Sequence, residues 1–428
     1  MPSPTRRLPI APVADPPRRR LPLAPEVRAV DRESRPIYAV WEVTLRCDLA
    51  CRHCGSRAGK ARPHELTTAE ALDLVRQLAE LGVKEVSLIG GEAYLRDDWL
   101  DLVRALVAAG ISTNMVTGGR GFTRERAAQA RRAGIRNLSV SVDGLEATHD
   151  LLRGVAGSFQ SAMAALENAR AEGIAVAANT QISRLALREI EPLVDLLLEK
   201  RIYGWQVAMT VPMGRAADEP DLLLEPYQVL EVIPMLVRLK AKLDARGVLL
   251  WPGNDIGYFG PYDSVLRGHR PSGHSEPCSA GRLTLGIEAD GSVKGCPSLP
   301  TADYVGGNLR DAPLVDIWER SEPLRFTRER SVDSLWGLCR TCYYAEDCLG
   351  GCSWTSHVLF GRLGNNPFCH HRALELLREG KRERLVQVAP APGKPFDHGL
   401  FDTIVEDWPS HELARARELE RTGEGFLS

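Results

Sequence analysis

Ten cysteines stand in this 428-residue chain, and their spacing divides them into two groups without remainder. Cys47, Cys51 and Cys54 crowd the stretch "CDLACRHCGS", while Cys278, Cys296, Cys339, Cys342, Cys348, Cys352 and Cys369 lie toward the C-terminus. An odd number of closely spaced thiols cannot pair among themselves, and no secretion signal points to an oxidising destination, so disulfides explain the first group poorly. A metal site, a redox pair or chance remain. Three such thiolates can wrap one face of a cubane iron–sulfur cluster and leave one iron without a protein ligand, free to chelate a substrate or cofactor. Zinc binding and unrelated buried thiols are the competing readings.

Those thiols need a scaffold. From residue 37 the chain alternates short apolar, β-branched runs with longer stretches of helical period, the pattern of βα units in a parallel sheet. Strands are predicted at Tyr38–Leu45, Glu85–Ile89, Ser112–Val116, Asn137–Val142, Ala175–Ile182 and Gly204–Met209. The helix "TTAEALDLVRQLAELG" opens on the capping candidates Thr67 and Thr68, has Glu70 in its first turn and stops at Gly82. "DDWLDLVRALVAAG", "TRERAAQARRAG" and "SFQSAMAALENARAEG" also end on glycine. Six units are too few for a closed eight-fold barrel. They predict an open α/β fold, a (β/α)6 partial TIM barrel, with its ligand site at the C-terminal ends of the strands. Cys47, Cys51 and Cys54 follow the first strand and fall at that end.

A long helix is predicted over Pro226–Arg246, and from "WPGNDIGYFGPY" to about residue 372 the chain turns rich in Gly, Pro and Cys. That shift predicts a second domain held by something other than a large apolar core. The expected organisation is a flexible tail (1–36), a barrel core (37–225), a connecting helix and loop (226–277), a cysteine-rich domain (278–372) and a terminal segment (373–428) beginning with the helix "ALELLREGKRER". Nine prolines and eight arginines in the first 36 residues interrupt any apolar core that a signal peptide would need. No apolar segment approaches the roughly 18 residues of a membrane span. A net charge of −2 with interspersed signs leaves no electrostatic footprint for nucleic acid. A cytoplasmic protein is expected.

The first cysteine group resembles the radical S-adenosylmethionine (AdoMet) superfamily, whose C-x3-C-x-Φ-C motif holds a [4Fe–4S] cluster with an open iron; His53 stands at the usually aromatic Φ. The resemblance implies that the amine and carboxylate of AdoMet take that iron. Electron transfer then breaks a carbon–sulfur bond, and the 5′-deoxyadenosyl radical abstracts a substrate hydrogen atom. After the second strand, "IGGEAYLR" supplies Gly90, Gly91 and Glu92, which match the family's GGE motif and by resemblance hold the methionine amine. Weaker matches at later strand ends are Ser141 and Asp143 in "SVSVDG", Asn179 and Gln181 in "ANTQIS", and Met213–Gly214–Arg215. Similar positions in the family contact the ribose, the carboxylate or the adenine side. Arg153 matches a family arginine that could pair with a carboxylate.

The second group, Cys278-x12-Gly291-x4-Cys296, then Cys339-x2-Cys342-x5-Cys348-x3-Cys352-x16-Cys369, resembles the SPASM domain, an extension that carries two auxiliary [4Fe–4S] clusters. The resemblance assigns Cys278, Cys296 and Cys352 to the first of these, and Cys339, Cys342, Cys348 and Cys369 to the second. The first is one ligand short. Ser272 stands where some members have another cysteine, and an open iron, water, His274, Glu276 or a substrate group are the alternatives. Zinc sites completed by His274, His370 or His371 compete.

SPASM enzymes mostly act on peptides, so the implied function is a maturase that installs a crosslink, thioether, epimer or oxidation in a ribosomally made precursor peptide. The alternative is an oxidative enzyme of cofactor or haem biosynthesis. Pro297, directly after Cys296, stands where the sulfatase-modifying branch places an aspartate and argues against that branch. The 36 residues before the barrel are too few for a cobalamin domain or a leader-peptide-binding domain. An electron donor such as flavodoxin or ferredoxin, and a separate leader-peptide-binding protein or the barrel surface itself, are the expected partners. Glu288, Asp290, His274, Tyr258 and Asp255 are acid–base candidates, with no base singled out.

Overall fold

In the computed structural model, which describes residues 23–256, 259–268 and 278–422, six parallel strands lie side by side in chain order. They are β1 (Tyr38–Glu42), β2 (Glu85–Ile89), β3 (Ser112–Thr117), β4 (Asn137–Ser141), β5 (Ala175–Ile182) and β6 (Gly204–Met209). Helices connect them, each burying one apolar stripe against the sheet; Leu74 and Leu78 of Thr68–Leu81 are fully buried, as are Trp41 and Trp205 beneath the helices. That helix starts on a reciprocal capping box: Thr67 Oγ1 accepts from Glu70 N–H (3.3 Å) and Glu70 Oε2 from Thr67 N–H (2.8 Å). Gly82, at φ 92, ends it.

The sheet runs past the six predicted strands on both edges. β7 (Leu249–Pro252) pairs parallel with β6, and β8 (Thr284–Ile287) pairs parallel with β1, giving eight consecutive parallel strands. β9 (Ser292–Lys294) and β10 (Gly307–Asn308) then continue antiparallel. The cysteine-rich part therefore shares the barrel's sheet. Gly286 in β8 lies so close to the Cys296–Pro297 backbone that a Cβ there would overlap it. A buried ionic network seals the join: Arg62 Nε lies 3.1 Å from Glu42 Oε1 and Nη2 3.2 Å from Glu288 Oε2, while Lys294 Nζ reaches Glu288 Oε1 at 2.7 Å. Glu288 is thus committed to structure rather than free for acid–base work, and Asp290 accepts from Ser292 N–H (2.9 Å) in a turn.

Three other expectations change outside the six predicted strands. The segment expected as a tail through residue 36 forms a short helix, Ala29–Glu33, whose fully buried Asp31 pairs with Arg28 (2.8 Å), Arg328 (2.9 Å) and Arg325 (3.0 Å). "ALELLREGKRER" is not one helix. The helix His370–Arg378 stops before Gly380, at φ 74, and Lys381 begins β11 (Lys381–Ala389), which pairs antiparallel with β12 (Leu400–Asp407). A helix over Ser410–Thr422 follows. The long helix after the barrel is a 3-10 turn, Pro226–Gln228, leading into Val229–Asp244. Ser272, His274, Glu276 and Tyr258, weighed above as ligands or acid–base groups, lie outside the described residues. Among the described residues no helix is long and apolar enough to cross a membrane.

Candidate functional site

The loop after β1 is tied down backbone first. Cys47 N–H donates to Gly59 O (3.1 Å) and Gly59 N–H to Leu45 O (3.1 Å), closing the stretch that carries all three thiols. Arg215, buried beneath the loop, donates from Nε to Cys51 O (2.6 Å), from Nη1 to Ala58 O (3.1 Å) and from its N–H to Cys54 O (3.0 Å). Gly214 sits at φ 57, and a Cβ on it would overlap the Cys54 and Gly55 carbonyls, so this crossing requires glycine. Each sulfur receives a donor: Leu49 N–H at Cys47 Sγ (3.4 Å), Arg153 Nη1 at Cys51 Sγ (3.6 Å) and Ala58 N–H at Cys54 Sγ (3.4 Å). Donors to sulfur tune the potential of a cluster held by it.

Gly90 and Gly91 dock on the same loop. Gly91 N–H donates to Thr44 O and Glu92 N–H to Arg46 O, both at 2.8 Å, and a Cβ on Gly90 or Gly91 would overlap the Thr44 or Arg46 carbonyl. The glycines thus admit the chain's own backbone, a different use from the ligand approach the motif implies. Glu92 turns inward. Its Oε2 accepts from Gly118 N–H (2.9 Å), its Oε1 has no protein hydrogen-bond partner, and burial pushes its carboxyl up to about 8.

Asp143 and Arg153 meet each other. Asp143 Oδ2 lies 2.5 Å from Arg153 Nη2 and 3.1 Å from His53 Nε2, and Oδ1 accepts from Gln181 N–H (2.9 Å). Burial would raise this carboxyl, but the Arg153 charge and His53 hold it below the usual range. Asp143 N–H donates to His149 Nδ1 (3.2 Å), an acceptor kept neutral because burial and then Arg153 push its imidazole down to about 4. Asp143 is 0% exposed, and the Arg153 it pairs with donates to Cys51 Sγ. Ser141, half-buried at the end of β4, pairs in register with Asn179.

Two cavities collect the other seven cysteines. Cys278, Cys296 and Cys352 line one of about 270 Å³. Asn179 and Gln181 from β5, Gln206 from β6, and Asp255 after β7 line the same cavity. Asp255 Oδ2 accepts from Met209 N–H (2.6 Å), and burial pushes the carboxyl up to about 7. Cys339, Cys342, Cys348 and Cys369 line the second, of about 380 Å³, where Asn366 N–H donates to Cys339 Sγ and Tyr344 N–H to Cys342 Sγ, both at 3.4 Å. All ten cysteines are free. Burial pushes the thiols of Cys352 and Cys369 up to about 12 and that of Cys296 to about 11, so the protein alone does not hold these sulfurs as thiolates at neutral pH. A metal's positive charge supplies what they lack.

Sequence reasoning passed over Arg57 and Asp397. Arg57 donates to Gly214 O (2.9 Å) and pairs with Asp218 and with Asp397 (2.7 Å) from the β11–β12 loop, clamping the first cysteine loop. No local signal marks contacts 161 and 340 residues apart.

Residues 41–197 match the Radical SAM superfamily, and residues 278–343 match SPASM, an iron–sulfur cluster-binding domain. Mycofactocin maturase MftC of Mycolicibacterium smegmatis is 31% identical over 323 residues, which cover 74% of this chain and 78% of that protein. The chain belongs to the radical SAM superfamily. As a radical SAM enzyme with a SPASM domain it uses AdoMet, a [4Fe–4S] cluster in the barrel and auxiliary clusters in the cysteine-rich part. It is also similar to the AdoMet-dependent heme synthase of Nitratidesulfovibrio vulgaris, 28% identical over 355 residues, covering 78% of this chain and 91% of the relative. Streptococcus suis SuiB, solved bound to the precursor peptide SuiA, shares the fold with a TM-score of 0.59 at 18% identity, over 79% of this chain and 76% of that one.

Proposed function

We propose that this radical SAM enzyme acts on a ribosomally made precursor peptide in the cytoplasm, abstracting a hydrogen atom from one residue and passing an electron from it to the SPASM domain. The observation that carries this reading is the cavity shared by Asn179, Gln181 and Gln206, at the barrel's strand ends, with Cys278, Cys296 and Cys352. At about 270 Å³ it lies below the roughly 300–1,000 Å³ of drug-sized ligand sites, and a cluster occupies part of it. Side-chain amides on the wall suit the amide groups of a peptide.

The residues suit the family's cofactors. Cys47, Cys51 and Cys54 would hold the first cluster; Cys278, Cys296 and Cys352 one auxiliary cluster; Cys339, Cys342, Cys348 and Cys369 the other. The partnerless Oε1 of buried Glu92 would accept from the methionine ammonium of AdoMet. When bound, cluster and AdoMet together supply one-electron carbon–sulfur cleavage and hydrogen-atom abstraction. Asp143, His53 and Arg153 keep Cys51 oriented, and Asp255 takes the proton that leaves as the substrate is oxidised. A low-potential donor of the flavodoxin or ferredoxin class would supply electrons, and a separate leader-binding protein could present the peptide.

Glu92→Gln tests the amine contact. It should weaken AdoMet binding to cluster-loaded enzyme by about 1.5–3 kcal/mol, roughly 10- to 150-fold in Kd, by equilibrium dialysis. An unchanged Kd would remove Glu92 from the site. The heme synthase relative favours a second reading, tetrapyrrole oxidation. Incubation of reconstituted enzyme with AdoMet, reductant and either a genomically adjacent small peptide or an iron–coproporphyrin separates the two. Peptide mass change coupled to 5′-deoxyadenosine supports the first, and turnover of the tetrapyrrole alone replaces it with the second.

A further inference from the structure

Away from the cysteines, three side chains from three segments converge on one point. Asp303 belongs to the helix Thr301–Tyr304 beyond Cys296, His357 to the helix Ser353–Phe360 beyond Cys352, and His398 to the loop between β11 and β12. One potential ligand atom from each lies within 4.8 Å of the other two. His357 Nε2 is 3.2 Å, and His398 Nε2 4.0 Å, from Asp303 Oδ2, and the two imidazoles meet edge to face with centroids 5.0 Å apart.

The far nitrogens fix what the near ones can do. His398 Nδ1 lies 2.6 Å from Gly399 O, which can only accept, so Nδ1 carries the hydrogen and a neutral ring presents a bare lone pair at Nε2. His357 Nδ1 lies 2.9 Å from Tyr304 Oη, which can accept in the same way. Without an ion, His357 Nε2 donates to Asp303 Oδ2 at 3.2 Å while the bare His398 Nε2 faces the same carboxylate oxygen, an unfavourable pairing that a cation bound by all three would relieve once Tyr304 Oη accepts from His357 Nδ1. Metal-bound histidines usually donate their other ring N–H to an oxygen such as a backbone carbonyl, as His398 does to Gly399 O. His357 is buried, His398 half-buried and Asp303 open to solvent, which leaves an entry path and room for water on the outer side.

We infer that Asp303, His357 and His398 form a mononuclear site for a divalent ion of the zinc class, with water completing its coordination. Two histidines and one carboxylate with water suit a first-row divalent ion such as zinc or ferrous iron, whereas the thiolate sets elsewhere suit iron–sulfur clusters. The ion's place in the fold gives it a task. The His398 loop bridges to Met213 and carries Asp397, the partner of Arg57 under the first cysteine loop. Bound metal would therefore pin the C-terminal hairpin to the cysteine-rich part and hold Asp397 on its clamp. This inference does not depend on the identity of the substrate.

Full-length holoenzyme, its clusters reconstituted in metal-stripped buffer, is equilibrated with Zn²⁺, freed of excess ion, and analysed for zinc and iron together with zinc-edge X-ray absorption. About one zinc per chain is expected, with nitrogen and oxygen scatterers near 2.0–2.1 Å and no sulfur near 2.3 Å. His398→Gln and Asp303→Asn should each lose the zinc while keeping wild-type iron. Asp303 is solvent-exposed, so its variant serves if the loop variant loses its iron. Absence of zinc from the wild type, sulfur in its shell, or zinc unchanged in both variants overturns the site and leaves an Asp–His ion pair in its place.

Discussion

Anaerobically reconstituted Cys51→Ala is expected to form no 5′-deoxyadenosine above the reagent background, while keeping about eight of the twelve or so irons that three cubanes provide. Cys51 is the buried member of its group. Arg153 donates to its sulfur, Arg215 to its carbonyl, and both guanidiniums are themselves buried. Removing the thiol leaves two ligands and takes the sulfur acceptor from Arg153 Nη1, whose Nη2 stays paired with Asp143. The auxiliary cysteines line separate cavities, so their iron should survive. Wild-type 5′-deoxyadenosine from this variant would place the AdoMet chemistry elsewhere; loss of nearly all iron would mean that the three sites do not load independently.

Asp255→Asn is expected to lower product formation by about 10²- to 10⁴-fold, the range for loss of a general base, with 5′-deoxyadenosine still formed. The substitution keeps shape and an oxygen to accept from Met209 N–H, so the fold is spared. Because burial raises Asp255 to about 7, the wild-type rate should climb as pH rises through that value and the carboxyl deprotonates. The variant's residual rate should lack that limb. Equal product yields in both proteins, or a limb that persists in the variant, would assign the proton to another group.

Much of this site is written locally in the chain. Cysteine spacing needs no tertiary information, and β2, β5 and β6 have the bounds that their apolar runs predict. What escaped was non-local. β7 and β8 are four-residue strands without a periodic signal, and each is a strand because a neighbouring edge, β6 or β1, offers it partners. "GKRER" has helix-forming residues, yet Gly380 ends the helix, and Glu383 turns inward to Arg372 from a strand. Asp143 was legible as a polar residue at a strand end. Its direction was not, because Arg153, His53 and Gln181 reach it from other segments. The acid–base candidates were likewise separable only in three dimensions: Glu288 is locked to Arg62 and Lys294, while Asp255 faces the cavity of Cys352.

Iron and sulfide counting on wild type beside a Cys339→Ala, Cys342→Ala double variant tests most directly whether the two cavities of the cysteine-rich part each hold a cluster. About twelve irons per chain are expected in the wild type and about eight in the variant. About four in both proteins would contradict auxiliary clusters altogether and leave the seven C-terminal cysteines without the role assigned to them.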